Sequence, residues 1–202
     1  MANEPATAPL IGGVTLLERA INYTLGSLHV VTPEAMSAPT PCQEWDLRAL
    51  LRHLDDSMAA LHEAADVGYV ALDSPGDAGA LSAGDGRPGP EVVGDVRDRA
   101  RQLLGAWANG HRSGVVAIAG CPLTASIVAA AGAVEIAVHG WDVSDACGQR
   151  REIPAPLAAE LLELVPMFVS DADRPGRFAG PVPAPTLASP GDRLIAFLGR
   201  RP

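Results

Sequence analysis

Aromatic residues are scarce in this chain of 202 residues: Phe, Trp and Tyr make up only 4% of it, although 48% is hydrophobic. The apolar core must therefore be built mainly from Ala, Leu and Val. Ala and Leu are among the strongest helix formers, and a chain of this length can enclose one domain-sized core. The composition predicts an all-α protein.

Basic residues are also few. There are 15 Lys and Arg against 24 Asp and Glu, which gives a formal net charge of −9. A polyanion would be repelled by such a chain, and no cluster of Lys and Arg offsets the repulsion. We therefore expect no nucleic-acid partner.

Signals for secretion or membrane insertion are lacking. Cys42, Cys121 and Cys147 are too few for a disulfide framework, and their odd number leaves one unpaired. The N-terminus has no basic segment followed by an apolar run, as a signal peptide would. The longest apolar stretch, residues 127–138, is shorter than a membrane span and contains Glu135. We expect a cytoplasmic protein with no membrane partner, either a monomer or a homodimer.

Apolar spacing predicts five helices and a short terminal one, because hydrophobic residues recur every three to four positions. These helices are expected at residues 11–30, 46–65, 91–109, 124–147, 156–169 and 190–198. Asp46 is predicted to cap the second helix, and Thr124 or Ser126 the fourth. A short extended segment is expected at Val115–Ile118.

Glycine and proline interrupt this pattern in two places. Residues 68–90 are rich in Gly, Pro, Asp and Ser, which predicts a long loop, either mobile or functional, that proteases attack first. From residue 171 the chain turns irregular. We therefore predict a single-core protein with a helical bundle at residues 1–170 and a C-terminal extension, residues 171–202, that packs on it.

One helix combines two metal-ligating side chains. Glu135 and His139 are four residues apart in the fourth predicted helix, so they project from the same face. The second helix offers His53 as a third ligand from a facing element, which is how helical bundles build metal sites. Two histidines and one glutamate leave a coordination position open, as catalytic zinc sites do. From spacing alone, a core histidine and a chance Glu–His pair remain the more common explanation.

Asp142 lies one turn beyond His139. A carboxylate at this position could orient a ligand histidine, or it could be an ordinary surface residue near a helix end. Trp45 and Trp141 are predicted to pack beside the site, and Cys42 is predicted to be an inert packing residue. No residue identifies itself from the sequence as a general acid or base.

Three stretches of the chain resemble a known family. They are residues 40–53 (TPCQEWDLRALLRH), residues 135–142 (EIAVHGWD) and residues 192–200 (DRLIAFLGR). Together they resemble actinobacterial DinB-like proteins, which belong with the mycothiol-dependent maleylpyruvate isomerase N-terminal family. The resemblance implies a DinB-like four-helix bundle with a short irregular C-terminal extension. It also implies a divalent metal held by His53, Glu135 and His139, typically Zn²⁺, with Ni²⁺ or Fe²⁺ as alternatives.

The resemblance further implies a function. It points to a metal-dependent enzyme that uses a low-molecular-weight thiol, such as mycothiol, for S-transfer or isomerisation of a small electrophile. The isomerase itself has a second, C-terminal domain, which this chain is expected to lack, so the resemblance does not extend to maleylpyruvate as substrate. A metal-dependent hydrolase, or a non-catalytic bundle that binds a metal or small molecule, remain the alternatives.

Overall fold

Six α-helices organise the part of the chain that the structure describes. This structure is a computed structural model, and it describes residues 12–42, 45–71, 88–109, 114–172, 174 and 178–202. The helices are α1 (Gly13–Ser27), α2 (Leu47–Asp66), α3 (Gly89–Asn109), α4 (Ala125–Ala146), α5 (Ala155–Phe168) and α6 (Pro190–Phe197). Two short 3-10 helices, Leu28–Val30 and Pro33–Ser37, follow α1.

Side-chain caps fix where three of these helices begin. Asp46 Oδ1 accepts a hydrogen bond from the backbone N–H of Ala49 at 2.8 Å, as the sequence predicted for α2. Thr124, rather than Ser126, caps α4. Ser189 and Asp192 form a reciprocal capping box at the start of α6, a pattern that we did not identify in the sequence.

A small sheet accompanies the helices, which the all-α prediction did not include. Its strands are β1 (Tyr69–Val70), β2 (Val115–Ile118) and β3 (Cys121–Thr124). Strand β2 pairs in parallel with β1 and in an antiparallel hairpin with β3. The hairpin turns at Ala119 and Gly120, which both have positive φ as a tight type I′ turn requires. Only β2 had been predicted. Strand β1 has two residues, and β3, although as long as β2, contains Pro122 and has no run of β-branched residues.

Helix α4 lies at the centre of the fold and packs against α1, α2 and α5. Most of its residues are buried, and the buried residues occupy every face of the helix. It approaches α1 closely at Gly140, where a Cβ atom would collide with the side chain of Thr24. The Thr24 hydroxyl in turn donates to the Ile136 carbonyl at 2.8 Å. A Cβ atom at Gly132 would likewise collide with the side chain of Leu61 on α2.

Burial also explains the apolar character of α4. Among the described residues, it alone is long and apolar enough to cross a membrane by length and composition. Its most apolar window is 78% buried inside the protein, as expected for a helix that is packed on all sides by the rest of the fold. Glu135 and His139 interrupt the apolar residues of this helix, so no uninterrupted apolar run in it reaches the length of a membrane span.

The structure confirms a mostly helical protein, and the helix positions agree with the predictions to within a few residues. The finer assignment to a four-helix bundle is not established by it. The division at residue 170 also stays a prediction, although α6 packs against α5 and its Leu194 and Ile195 join the common core. Of the predicted loop at 68–90, residues 72–87 lie outside the described residues.

Candidate metal centre

His53, Glu135 and His139 converge in the structure. Helix α2 contributes His53, and α4 contributes the other two side chains from one face. His53 Nε2 lies 2.7 Å from Glu135 Oε1, and His139 Nε2 lies 3.2 Å from the same oxygen. The three ligand atoms are all within 4.8 Å of one another. The structure therefore brings together the three residues singled out in the sequence.

The spacing of these donors suits a small divalent cation. Tetrahedral ligands about 2.1 Å from Zn²⁺ stand about 3.4 Å apart, so the observed separations need only small side-chain adjustments. Two imidazole nitrogens and a carboxylate oxygen are also ligands that zinc accepts. The residues therefore fit a divalent metal ion.

Opposite charges on Glu135 and His139 stabilise each other at the centre. Burial alone raises the pKa of Glu135, but His139 and His53 outweigh it and hold that pKa well below its usual value. Burial lowers the pKa of His139, but Glu135 and Asp142 raise it well above the usual value. A cation at this position would replace the proton that His139 otherwise shares with Glu135.

The far side of His139 faces Asp142. His139 Nδ1 lies 3.0 Å from Asp142 Oδ2, and Asp142 is completely buried. Burial raises the pKa of Asp142, but Arg200 and His139 together lower it, so the carboxylate is ionised and can only accept hydrogen bonds. His139 therefore donates from Nδ1, which leaves Nε2 directed at Glu135 and the metal position. The structure places Asp142 inside the protein and not on the helix surface.

A second group of potential ligands shares His139. Cys42, His139 and Asp142 also offer donor atoms within 4.8 Å of one another. The guanidinium of Arg200 lies among them, 2.7 Å from Asp142 Oδ2 and 3.5 Å from Cys42 Sγ. A cation there would be repelled by this positive charge, and both Asp142 oxygens already accept from Arg200. Of the two groups, the set with His53 and Glu135 suits a metal better.

Solvent reaches the centre from one side. The side chains of His53 and Glu135 are 28% and 34% exposed, whereas those of His139 and Asp142 are 9% and 0% exposed. A ligand approaching a metal here would therefore enter past His53 and Glu135. Trp45 lines this region, with its ring centroid 4.5 Å from that of His53 and 6.5 Å from that of His139.

Two contacts at the centre were missed in the sequence. Ser57 donates to Glu135 Oε1 at 3.3 Å, and its position four residues after His53 on one helix was the available signal. Cys42 lies beside Asp142 and Arg200, and nothing in its local sequence indicated this long-range contact. Trp141 is buried, and the guanidinium of Arg150 lies over its ring, 5.4 Å from the ring centroid.

Among the described residues, no other histidine or cysteine joins the group formed by His53, Glu135 and His139. His29 is exposed and contacts the Leu25 carbonyl within its own helical turn. His62 is half-buried on α2, and His111 lies outside the described residues. Cys121 is exposed and Cys147 half-buried, and neither forms a disulfide.

Comparison with known proteins places the chain in a family. Residues 17–144 match the mycothiol maleylpyruvate isomerase N-terminal domain family, and the chain belongs to this family. The match includes all three candidate ligands. It bears out the resemblance seen in the sequence motifs and associates the chain with metal binding and mycothiol in general.

Two relatives come from strains of Mycobacterium tuberculosis and are the uncharacterized proteins Rv0738 and MT0763. Each is 26% identical to this chain over 91% of it, and the match covers 94% of the relative. The match thus extends over nearly the full length of both chains, and neither relative's name states an activity. No solved structure matches the chain.

Proposed function

We propose that this chain is a divalent-metal-dependent enzyme of the DinB-like four-helix-bundle type. In this proposal it uses a low-molecular-weight thiol, such as mycothiol, to transfer sulfur to a small electrophile or to isomerise one. The observation that carries the proposal is the convergence of His53, Glu135 and His139, with a solvent-accessible approach on one side. Membership of a family linked to mycothiol supports the choice of a thiol.

The donor set favours an anionic partner. Neutral His53 and His139 bring no charge to a divalent cation, and Glu135 brings one negative charge, so an excess of about one positive charge remains. A bound divalent cation supplies Lewis acidity, which lowers the pKa of a coordinated thiol and keeps it as a nucleophile at neutral pH. Zn²⁺ is the proposed metal, because its preference for nitrogen and sulfur ligands fits this role best.

The residues around the three ligands orient them and shape the approach to the metal position. Asp142 holds the His139 ring so that Nε2 points at the metal position, and Ser57 donates to the carboxylate of Glu135. Trp45 covers one flank of His53 and excludes water from part of the approach. The chain is proposed to act in the cytoplasm on small molecules, without a nucleic-acid or membrane partner.

Cobalt substitution tests the proposal directly. We expect Co²⁺-loaded protein to gain a sulfur-to-cobalt charge-transfer band in the near ultraviolet when mycothiol is added. S-methyl mycothiol, which cannot form a thiolate, is the matched control and should give no band. Turnover of electrophiles such as epoxides or activated alkenes should then require the free thiol.

Two other results would replace this function. A cobalt spectrum indifferent to mycothiol, together with hydrolysis of an ester or amide, would establish the hydrolase alternative. Purified protein that contains no metal and takes up none would refute metal dependence and leave a non-catalytic binding module.

A further inference from the structure

Arg200 connects the C-terminal segment to the candidate metal centre. It follows α6 and is buried, with only 9% of its surface exposed. Its guanidinium binds the carboxylate of Asp142 with two hydrogen bonds, Nε to Oδ1 at 2.9 Å and Nη2 to Oδ2 at 2.7 Å. The oxygen that accepts the shorter bond also accepts from His139 Nδ1. A continuous chain of contacts therefore runs from Arg200 to a predicted metal ligand.

The backbone before Arg200 is fixed by a tight turn. Gly199 has a φ of 81°, in the left-handed region that favours glycine, and a Cβ atom there would lie 2.7 Å from that of Ala179. The backbone N–H of Arg200 donates to the Ile195 carbonyl at 3.0 Å, which closes the end of α6. Its Nη1 donates to the carbonyl of Leu198 at 3.0 Å. The guanidinium is thus held at its own end as well as at Asp142.

The two hydrogen bonds from Arg200 determine how the carboxylate of Asp142 is oriented. A fully buried carboxylate held by one partner can still rotate about its Cβ–Cγ bond, whereas a guanidinium that binds both oxygens fixes its plane. The plane of Asp142 in turn sets where Oδ2 meets His139 Nδ1, and so the direction in which His139 Nε2 points. Residues that orient a metal-ligating histidine in this way commonly alter metal affinity 10- to 100-fold when they are replaced.

We propose that Arg200 is a positioning residue of the metal centre, acting through Asp142 on His139. This inference rests on the proposed metal binding at His53, Glu135 and His139. A buried ion pair can also exist for packing alone. This ion pair differs from one that serves packing alone, because the Asp142 Oδ2 atom that binds Arg200 also contacts Nδ1 of His139, a candidate metal ligand.

Metal affinity is the first test. We expect Arg200→Met, which fills a similar space without the fork of donors, to weaken Zn²⁺ binding about 10-fold or more in competition with a chromophoric chelator. Arg201→Met is the matched control, because Arg201 is the exposed neighbour of Arg200, and should bind Zn²⁺ as the unmodified protein does. Arg200→Lys keeps the charge but not the two-point contact, and should fall between them.

A double-variant cycle tests the route through Asp142. If Arg200 acts only by orienting this carboxylate, Asp142→Asn should weaken Zn²⁺ binding at least as much as Arg200→Met. Adding Arg200→Met to Asp142→Asn should then change the affinity less than twofold. Independent, additive losses would overturn the proposed route. Zn²⁺ affinity that is unchanged or tighter in both Arg200→Met and Arg200→Lys would overturn the inference itself.

Nuclear magnetic resonance of metal-free protein gives a readout that does not depend on metal binding. With ¹⁵N-labelled histidine, the Nδ1–H proton of His139 should appear downfield and exchange slowly, because it donates to a buried carboxylate; His139→Gln assigns the signal. In Arg200→Met, or in Arg200→Lys if the first variant does not fold, this signal should broaden or exchange at least several-fold faster. Unmodified protein that shows the signal but binds no Zn²⁺ would refute the proposed function while leaving the positioning contact intact. A signal unaffected by either variant would refute the positioning.

Discussion

Removing one candidate ligand should abolish the stabilisation that a metal gives to the fold. His53→Gln is the most informative change, because His53 is 28% exposed and its replacement disturbs the core little. The variant leaves Glu135 and His139 as the only donors of the set. His62→Gln, at a half-buried histidine on the same helix, is the matched control.

The size of the effect follows from binding linkage. Zn²⁺ at 100 times its dissociation constant should stabilise the unmodified protein by about 2.7 kcal/mol. For a protein of this size that corresponds to a rise in Tm of about 5–11 °C. A 100-fold loss of affinity in His53→Gln, at the same metal concentration, leaves about 0.4 kcal/mol, or about 1–2 °C.

Differential scanning calorimetry with and without Zn²⁺ measures these shifts, and each protein serves as its own reference. His62→Gln should retain the full rise in Tm. A rise in His53→Gln that equals that of the unmodified protein would show that His53 is not a ligand. If His53→Gln, Glu135→Gln and His139→Gln each showed the same Zn²⁺-dependent rise in Tm as the unmodified protein, the whole site would be refuted.

Three further outcomes are expected. In metal-free protein, the pair of Glu135 and His139 should contribute most to the free energy of unfolding between about pH 4.5 and 6.5. The contribution of Glu135 is lost as the pH falls through its depressed pKa, and that of His139 is lost as the pH rises through its raised pKa. In Glu135→Gln, the stability measured by urea titration should therefore depend less on pH. Asp46→Ala should cost about 1 kcal/mol in urea unfolding, because it removes a helix cap, and an unchanged midpoint would contradict that role. Gly140→Ala should destabilise by about 1–3 kcal/mol through collision with another helix, whereas Gly94→Ala, where the added methyl meets open space, should be neutral or stabilising; the reverse order would be incompatible with the packing described.

Most of the secondary structure could be predicted from local patterns in the sequence. The three-to-four-residue spacing of apolar side chains predicted the helices, and Asp46 marked the start of α2, because these signals arise from contacts within a few residues. Strand β2 was predicted from its β-branched residues, whereas β1 has only two residues and β3 contains a proline, so both of these depend on pairing with β2 and show no strand pattern of their own.

In the candidate site, too, relations within one helix were predictable from the sequence, whereas contacts between separate elements were not. Helix geometry alone places Glu135 and His139 on one helical face, so their four-residue spacing was enough to predict that relation. The sequence offered His53 only as one candidate, and the tertiary structure decided that α2 faces α4 and brings His53 Nε2 to 2.7 Å from Glu135. The structure also decided the contacts of Asp142 with Arg200, which are 58 residues apart in the chain. No local pattern encodes such a pair, because it depends on how separate elements bury their apolar faces against one another.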